Sequence, residues 1–251
     1  MQITKSFSSI SLDQMDKVKL MNRIDRKYWF NASSLQTVLE EIKNDYYILE
    51  ISGETAMPYS TIYFDTPENS MFIAHHNGKL NRYKIRKRNY VISDMGFLEI
   101  KFKNNKGRTI KRRIPTNNFK SEFSEQEKHF IKQSTPFIAD YLNLSLHNKF
   151  TRITLVNKNL KERCTIDLNL EFTFKNKHLI LYDLAVIEKK ADGSSKNSAL
   201  SLAMRDFRLK ASGFSKYCIG KSIVDTEVKR NAFKAKLRYI EKETNTNLKI
   251  N

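Results

Sequence analysis

The sequence predicts an α+β fold, a closed antiparallel β-barrel of about eight strands with helices packed around it. Three observations predict it. Many segments alternate polar and apolar residues with the two-residue period of a strand. The connections between successive strands are too short for the crossovers that parallel pairing needs. Segments of helical period, several opened by a capping residue, lie between the strands.

Taken in order, residues 22–30, NRIDRKYWF, read as a strand with Arg23, Asp25 and Lys27 on one face. NASSLQTVLEEIKN follows as a helix, capped by Asn31 or Ser33, with Leu35, Val38, Leu39 and Ile42 recurring along one face. YSTIYFD is a strand, and TPENSMFIAHHNG reads as a short helix from a capping Thr66 to Gly78. KLNRYKIRKRNYV, GFLEIKFK and GRTIKRRIP form three strands joined by turns containing Gly96 and Gly107. Residues 124–147 read as one or two helices interrupted at Pro136. Three more strands, FTRITLVN, RCTIDLNLEFTF and HLILYDLAVIEKK, are separated by turns at residues 157–160 and 175–177. Residues 195–213 read as a helix with Leu200, Met204 and Phe207 on one side and Gly213 as its stop. From Asp225 onward the spacing of Val228, Ala232, Leu237 and Ile240 predicts an amphipathic helix. With no internal repeat and no low-complexity linker, residues 1–251 are expected to form one domain that includes this last helix.

Composition narrows the functional classes. A chain of 251 residues that is 40% hydrophobic and 11% aromatic can build a real core, which argues against disorder. No run approaches the roughly 20 apolar residues of a membrane-spanning helix, and the first twenty residues are too polar for a signal peptide. Cys164 and Cys218 fit no metal spacing and suggest a reducing compartment, so the expected location is the cytoplasm. The net charge of +18 favours an anionic partner. More than half of that excess lies between Lys79 and Arg113, where thirteen lysines and arginines face only Asp94 and Glu99. These residues read largely as strands, so the charge belongs to a sheet and not to a basic tail.

Strand periodicity places that charge. In RYKIRKRNY, Arg82, Lys84, Arg86 and Arg88 share one face, while Tyr83 and Ile85 take the other. In FLEIKFK, Glu99, Lys101 and Lys103 oppose Leu98, Ile100 and Phe102. In RCTIDLNLEF, Arg163, Thr165, Asp167, Asn169 and Glu171 oppose Cys164, Ile166, Leu168 and Leu170, and Glu188 shares a face with Lys190. Two architectures accommodate the pattern. One is an ordinary barrel with an apolar interior and solvated charges. The other is an inside-out barrel whose interior is a basic tunnel and whose apolar faces are covered by helices. Abundant arginine with isolated carboxylates suits phosphate and a divalent metal, which speaks for the second. No glycine-rich phosphate cradle exists among only seven glycines, so any triphosphate site must be built from side chains.

RIDRKYWF, STIYFDT, YKIRKRNY, FLEIKFK, RCTID, AVIEKK and GFSKYCIG occur in an order and spacing that resembles the VTC domain, the polyphosphate-polymerase domain of the triphosphate tunnel (CYTH-like) superfamily. The resemblance covers residues 20–222. It implies an eight-stranded tunnel that binds ATP and polyphosphate with a divalent metal, Mn2+ or Mg2+, and moves the terminal phosphate of ATP onto a growing chain. It further implies phosphate contacts from Lys27, Arg86, Arg88, Lys101, Lys103, Lys111, Arg152, Arg163, Lys190 and Ser215, a metal-binding Glu188, and a catalytic Lys216. The chain departs from the family pattern at Lys103, where eukaryotic members carry His, and at Gly213, where they carry Lys. The E-x-E-x-K signature of the superfamily is replaced by Arg23-Ile24-Asp25-Arg26-Lys27.

The function expected from these readings is a metal-dependent polyphosphate polymerase. The alternatives are a tripolyphosphatase or nucleoside triphosphatase using water as acceptor, and a non-catalytic module that binds polyphosphate or nucleic acid. Nucleic acid is not the expected partner, because Tyr83, Phe97 and Phe102 form no clear stacking platform. Association with a membrane would require a separate membrane protein.

Overall fold

The computed structural model describes residues 2–16, 23–192, 197–248 and 250. Its strands are β1 (Ser8–Ile10), β2 (Arg23–Asn31), β3 (Tyr46–Leu49), β4 (Ala56–Asp65), β5 (Arg82–Tyr90), β6 (Met95–Lys103), β7 (Thr109–Thr116), β8 (Asn143–Asn157), β9 (Glu162–Phe174), β10 (Lys177–Leu181) and β11 (Leu184–Asp192). The helices are α1 (Leu12–Asp16), α2 (Leu35–Ile42), α3 (Ser70–His76), α4 (Glu125–Ser134), α5 (Ala199–Asp206), α6 (Lys216–Val224) and α7 (Lys234–Thr244).

These strands form one eleven-stranded sheet whose main path runs β2-β11-β9-β8-β4-β5-β6-β7. Every pair along that path is antiparallel, as the short connections predict, while the small β1–β3 pair is parallel. The expected closed barrel of about eight strands is corrected on two counts. The sheet has eleven strands, and the ends of its path, β2 and β7, do not pair with each other. The sheet is nonetheless strongly curled. Glu188 on β11 and Lys101 on β6 lie five strands apart along the path, yet each supports the charge of the other.

The convex face is apolar and covered by helices. Leu35, Val38, Leu39 and Ile42 of α2 are buried as their spacing predicts. They pack with Leu200, Ala203 and Met204 of α5 against Tyr28 and Phe30 of β2, Ile187 of β11 and Ile166 of β9. Ile131 of α4 packs against Ile62, Phe64, Ile85, Leu98 and Ile100. Lys87 also points to this face and is fully buried. It donates to the carbonyls of Asn118 (3.0 Å) and Glu122 (2.7 Å) and to Glu127 Oε2 (3.0 Å). Because Glu127 also completes the capping box of α4 with Ser124, this one lysine ties the helix start to the sheet.

The concave face has two chemical halves, and a β-bulge helps to divide them. Pairing of β8 with β9 shifts between Lys149 and Thr151, and Asn169 opposite it adopts φ 51°. Up to Asp167 the odd residues of β9 face inward. Beyond the bulge the parity flips, so Leu170 and Phe172 face inward and Glu171 turns out to meet His178 and Lys149. The single ionic face predicted for all of residues 163–171 is therefore corrected from Asn169 onward. Helix α6 fills the apolar half, and every residue from Tyr217 to Val224 is buried. Gly220 makes this fit, since a Cβ there would lie 2.2 Å from Phe172 Cδ1 and 2.9 Å from Leu146 Cδ2.

Other departures are local. Residues 143–147 extend β8 instead of continuing a helix, because Ser145 and Leu146 turn into the core. The strand expected over residues 178–190 is broken at residues 182–183 into β10 and β11, both paired with β9. Helix α3 starts only at Ser70, after Asn69 in a left-handed conformation, and the last helix starts at Lys234 after a short 3-10 turn. Helix α5 ends at Asp206, well short of Gly213, while residues 195 and 196 of its expected span lie outside the described residues. Strands β1 and β3 were not expected. No helix among the described residues is long and apolar enough to cross a membrane.

The Gly220 contact yields a stability test. Gly220→Ala should gain helix propensity yet lose stability by about 1–3 kcal/mol through overpacking. Thermal unfolding should show a midpoint lowered by roughly 2–10 °C, whereas an unchanged or raised midpoint would mean that α6 does not press on β8 and β9 as described.

Candidate functional site

The ionic half of the concave face is built strand by strand. β2 supplies Lys27, opposite Glu188 of β11, and β9 supplies Arg163 and Asp167. β8 supplies Arg152, opposite Asp167. β5 supplies Lys84, Arg86 and Arg88, β6 supplies Glu99, Lys101 and Lys103, and β7 supplies Lys111, opposite Lys101. Ser215 and Lys216 open α6, which brings them from the apolar half towards these strands. This face is enclosed. Arg86 and Arg88 are 8% and 7% exposed, Glu99 is 0% exposed and Asp167 1%. The inside-out arrangement, a basic interior under helix-covered apolar faces, is the one the chain adopts.

Three carboxylates organise the cations. Glu99 accepts from Arg86 Nε at 2.7 Å and also pairs with Lys111. Asp167 accepts from Arg152 Nε at 2.6 Å and Nη2 at 2.8 Å, and pairs with Lys216 on its second oxygen. Glu188 lies between Lys27 at 3.2 Å and Lys190 at 3.4 Å. Burial alone would raise the pKa of each carboxyl, but the surrounding cations overcome it. Arg86, Arg88 and Lys111 hold Glu99 below the usual carboxylate range, Arg152 and Lys216 hold Asp167 there, and Lys190 and Lys27 hold Glu188 well below it. All three are therefore ionised and weakly basic.

The cations outnumber these partners. Lys101 has no carboxylate within ion-pair distance among the described residues, and Arg86, burial and Arg88 hold its pKa well below normal. Arg88 donates through Nε to Thr61 Oγ1 at 3.3 Å, while burial and its neighbours Arg86 and Arg152 lower its pKa. Burial brings the Lys216 ammonium down to about 8 despite its partner Asp167, with Arg152 and Lys27 also disfavouring its charge. Enclosed like charges of this kind are costly without a counter-anion.

The structure thus brings Lys27, Arg86, Arg88, Lys101, Lys111, Arg152, Lys190 and Lys216 together around Glu99, Asp167 and Glu188. Arg163 shares the face beside Lys190. Lys103 lies further out, opposite Arg82, where its charge bears on His75. Ser215 accepts from Lys84 Nζ at 2.8 Å and caps α6 through the Cys218 amide at 3.2 Å. Sequence reasoning saw Lys84 on the ionic face yet gave it no role. Asp167 and Glu99 were visible in the same alternation, but which cations they bind depends on strand register and on where α6 packs. Trp29 is wall, packed edge-on to Tyr239 at 4.8 Å and against Phe214 at 5.6 Å.

Among the described residues no group of three His, Cys, Asp or Glu side chains is placed to hold a metal ion. Of the three carboxylates Glu99, Asp167 and Glu188, Glu188 is the one held by lysines and not by an arginine. A hard divalent ion that takes one or two carboxylates and completes its shell with phosphate oxygens and water fits such a position.

The sequence matches the VTC domain family over residues 22–224. No curated protein matches the chain. Among solved structures, a proposed adenylyl cyclase from Hippeastrum, reported with a dominant triphosphatase activity, is similar at TM-score 0.54 and 12% identity, covering 80% of this chain and 95% of that one. A proposed adenylate cyclase from Vibrio parahaemolyticus aligns at TM-score 0.47 and 12% identity, covering 80% of this chain and 97% of its own. At 12% identity the Hippeastrum structure speaks for the fold alone. The family match spans most of the chain, so the protein belongs to the VTC domain family.

Proposed function

We propose that the protein is a polyphosphate polymerase that transfers the terminal phosphate of ATP to the end of an inorganic polyphosphate chain. One observation carries the choice of acceptor: the three carboxylates among the clustered cations, Glu99, Asp167 and Glu188, are each paired with cations that depress their basicity. Attack by water needs a group to take its proton or orient it. A terminal phosphate is already largely ionised at neutral pH, its second pKa being about 6, so its oxygen can attack without a base. The new P–O bond forms to the γ-phosphorus as the bond to the β-bridging oxygen breaks, and a nucleoside diphosphate leaves.

The residues have distinct parts in this reading. Arg86, Arg88 and Arg152 present guanidinium edges to the non-bridging oxygens of the triphosphate. Lys27, Lys101 and Lys190 add point charge, and Lys111 and Arg163 extend the basic wall. Lys216, at the opening of α6, balances charge on the transferred phosphoryl group. Glu188 would hold the divalent ion, Mn2+ or Mg2+, which would supply positive charge to offset that of the phosphate. The second reading, a triphosphatase, draws on the activity reported for the Hippeastrum protein and on the same cation set. The remaining parts of the proposal are that residues 1–251 act as one cytoplasmic domain and that any membrane association runs through a separate protein.

Purified protein incubated with ATP and Mn2+ should yield a ladder of lengthening polyphosphate on a gel, and free phosphate without polymer would instead establish the hydrolase. Lys216→Ala should lower synthesis roughly a hundredfold or more while the melting temperature stays close to that of the parent, since Asp167 keeps Arg152. Normal synthesis in that variant would remove Lys216 from the chemistry. Glu188→Gln should abolish metal-dependent turnover yet leave tripolyphosphate binding measurable by calorimetry, an assignment overturned by full activity across metal concentrations. The Lys216 ammonium is charged below about 8 and neutral above, so kcat/KM should fall on the alkaline side with a midpoint near pH 8. A profile flat to pH 10 would contradict that role.

A further inference from the structure

Hydrogen bonds and ion pairs account for only part of how the cations are held. Phe150 is 3% exposed and lies at the β8–β9 bulge, where it projects into the concave face. Its ring stacks on Tyr59, centroids 5.2 Å apart and 14° from parallel. Three cations gather on this aromatic pair. Lys216 Nζ stands 4.6 Å from the Phe150 centroid, Arg152 Cζ 5.2 Å and Arg88 Cζ 5.7 Å. Arg152 and Arg88 also lie 5.1 and 5.6 Å from the Tyr59 centroid. A carboxylate holds a guanidinium by occupying its N–H edge, the edge a phosphate needs. An aromatic face attracts the flat side of the cation and leaves that edge free.

We propose that Phe150, backed by Tyr59, is a positioning residue that fixes Arg88, Arg152 and Lys216 for phosphate through cation–π contact. Arg88 shows the consequence most clearly, because among the described residues its terminal nitrogens have no carboxylate partner while its Nε is satisfied by Thr61. Arg152 spends Nε and Nη2 on Asp167 and keeps Nη1. The groups that face Lys216 are Asp167, Arg152 and Lys27, two of them cations that oppose its charge. The negative face of Phe150 therefore adds to Asp167 in keeping the ammonium charged near neutral pH. The phosphate-positioning part of this inference rests on the proposed function, whereas the hold on Lys216 does not.

The experiment separates the two. Lysines of the intact protein are reductively 13C-methylated, the Lys216 signal is assigned with Lys216→Arg, and its titration is followed by NMR without any phosphate present. Phe150→Leu keeps an apolar side chain of similar volume and should lower the Lys216 pKa by about one unit, the tenfold effect expected of a lost buried cation–π contact. It should also weaken tripolyphosphate binding about tenfold by calorimetry, with Phe150→Tyr restoring both. Tyr59→Leu, which touches only the arginines, should weaken tripolyphosphate binding and leave the Lys216 titration in place; it carries the test should Phe150→Leu fail to fold. A folded Phe150→Leu with unchanged Lys216 titration and unchanged affinity would overturn the inference, as would a Tyr59→Leu variant of parental affinity. If the parent protein itself binds no tripolyphosphate, the proposed function fails, and the Lys216 titration still decides whether Phe150 holds that ammonium.

Discussion

Positive charge held out of water, in excess of the carboxylates beside it, is the constraint on which the rest of this structure depends. Lys84, Lys101 and Lys216 all have pKa values pressed down by their surroundings, and Arg86, Arg88 and Arg152 crowd the same face. Packing such groups together opposes folding, so the remainder of the chain has to hold them in place. The convex face does so through two apolar layers, one under α2 and α5 and one under α4. The concave face does so through α6, whose residues Tyr217 to Val224 are buried and whose first residue, Lys216, pairs with Asp167. An open sheet thereby achieves what closure of a barrel was expected to provide. Strands β2 and β7 do not pair, yet Glu188 and Lys101 act on each other across the interior.

Within that enclosure the carboxylates serve as orienting groups. Glu99 ties Arg86 to Lys111 and so links β5, β6 and β7, while Asp167 links β8, β9 and the start of α6. Each gives up basicity in the process, which is why the proposed chemistry relies on an acceptor that arrives ionised. Aromatic rings complete the arrangement at Tyr59 and Phe150, where a second carboxylate would have taken the donors that a phosphate needs. The bulge at Asn169 makes the two halves of the face compatible by turning β9 from an ionic lining to the apolar seat of α6.

Much of this was legible in the sequence, for a physical reason. Strand alternation is local, so the shared face of Lys84, Arg86 and Arg88, and that of Glu99 and Lys101, could be read directly from RYKIRKRNY and FLEIKFK. The spacing of Leu35, Val38, Leu39 and Ile42 likewise gave α2 and its buried face. What periodicity could not supply is long-range. Nothing in RCTIDLNLEF announces that Asn169 breaks the alternation, because the bulge answers to Phe150 on the neighbouring strand. Residues 143–147 look helical beside α4, yet pairing with β4 makes them strand. Strands β1 and β3 are too short to show a period of their own. The pairing of Asp167 with both Arg152 and Lys216 spans 15 and 49 residues of sequence, and it depends on the register of β8 against β9 and on where α6 packs.

The central claim is that the enclosed cations are completed by a chain of linked phosphates. Thermal unfolding of the purified protein across a tripolyphosphate titration at fixed ionic strength tests it most directly. The midpoint should climb with ligand, by roughly 5–10 °C at a hundredfold excess over Kd, and added salt should shrink the gain. A midpoint that does not move, or that moves equally with chloride at matched ionic strength, would contradict the account.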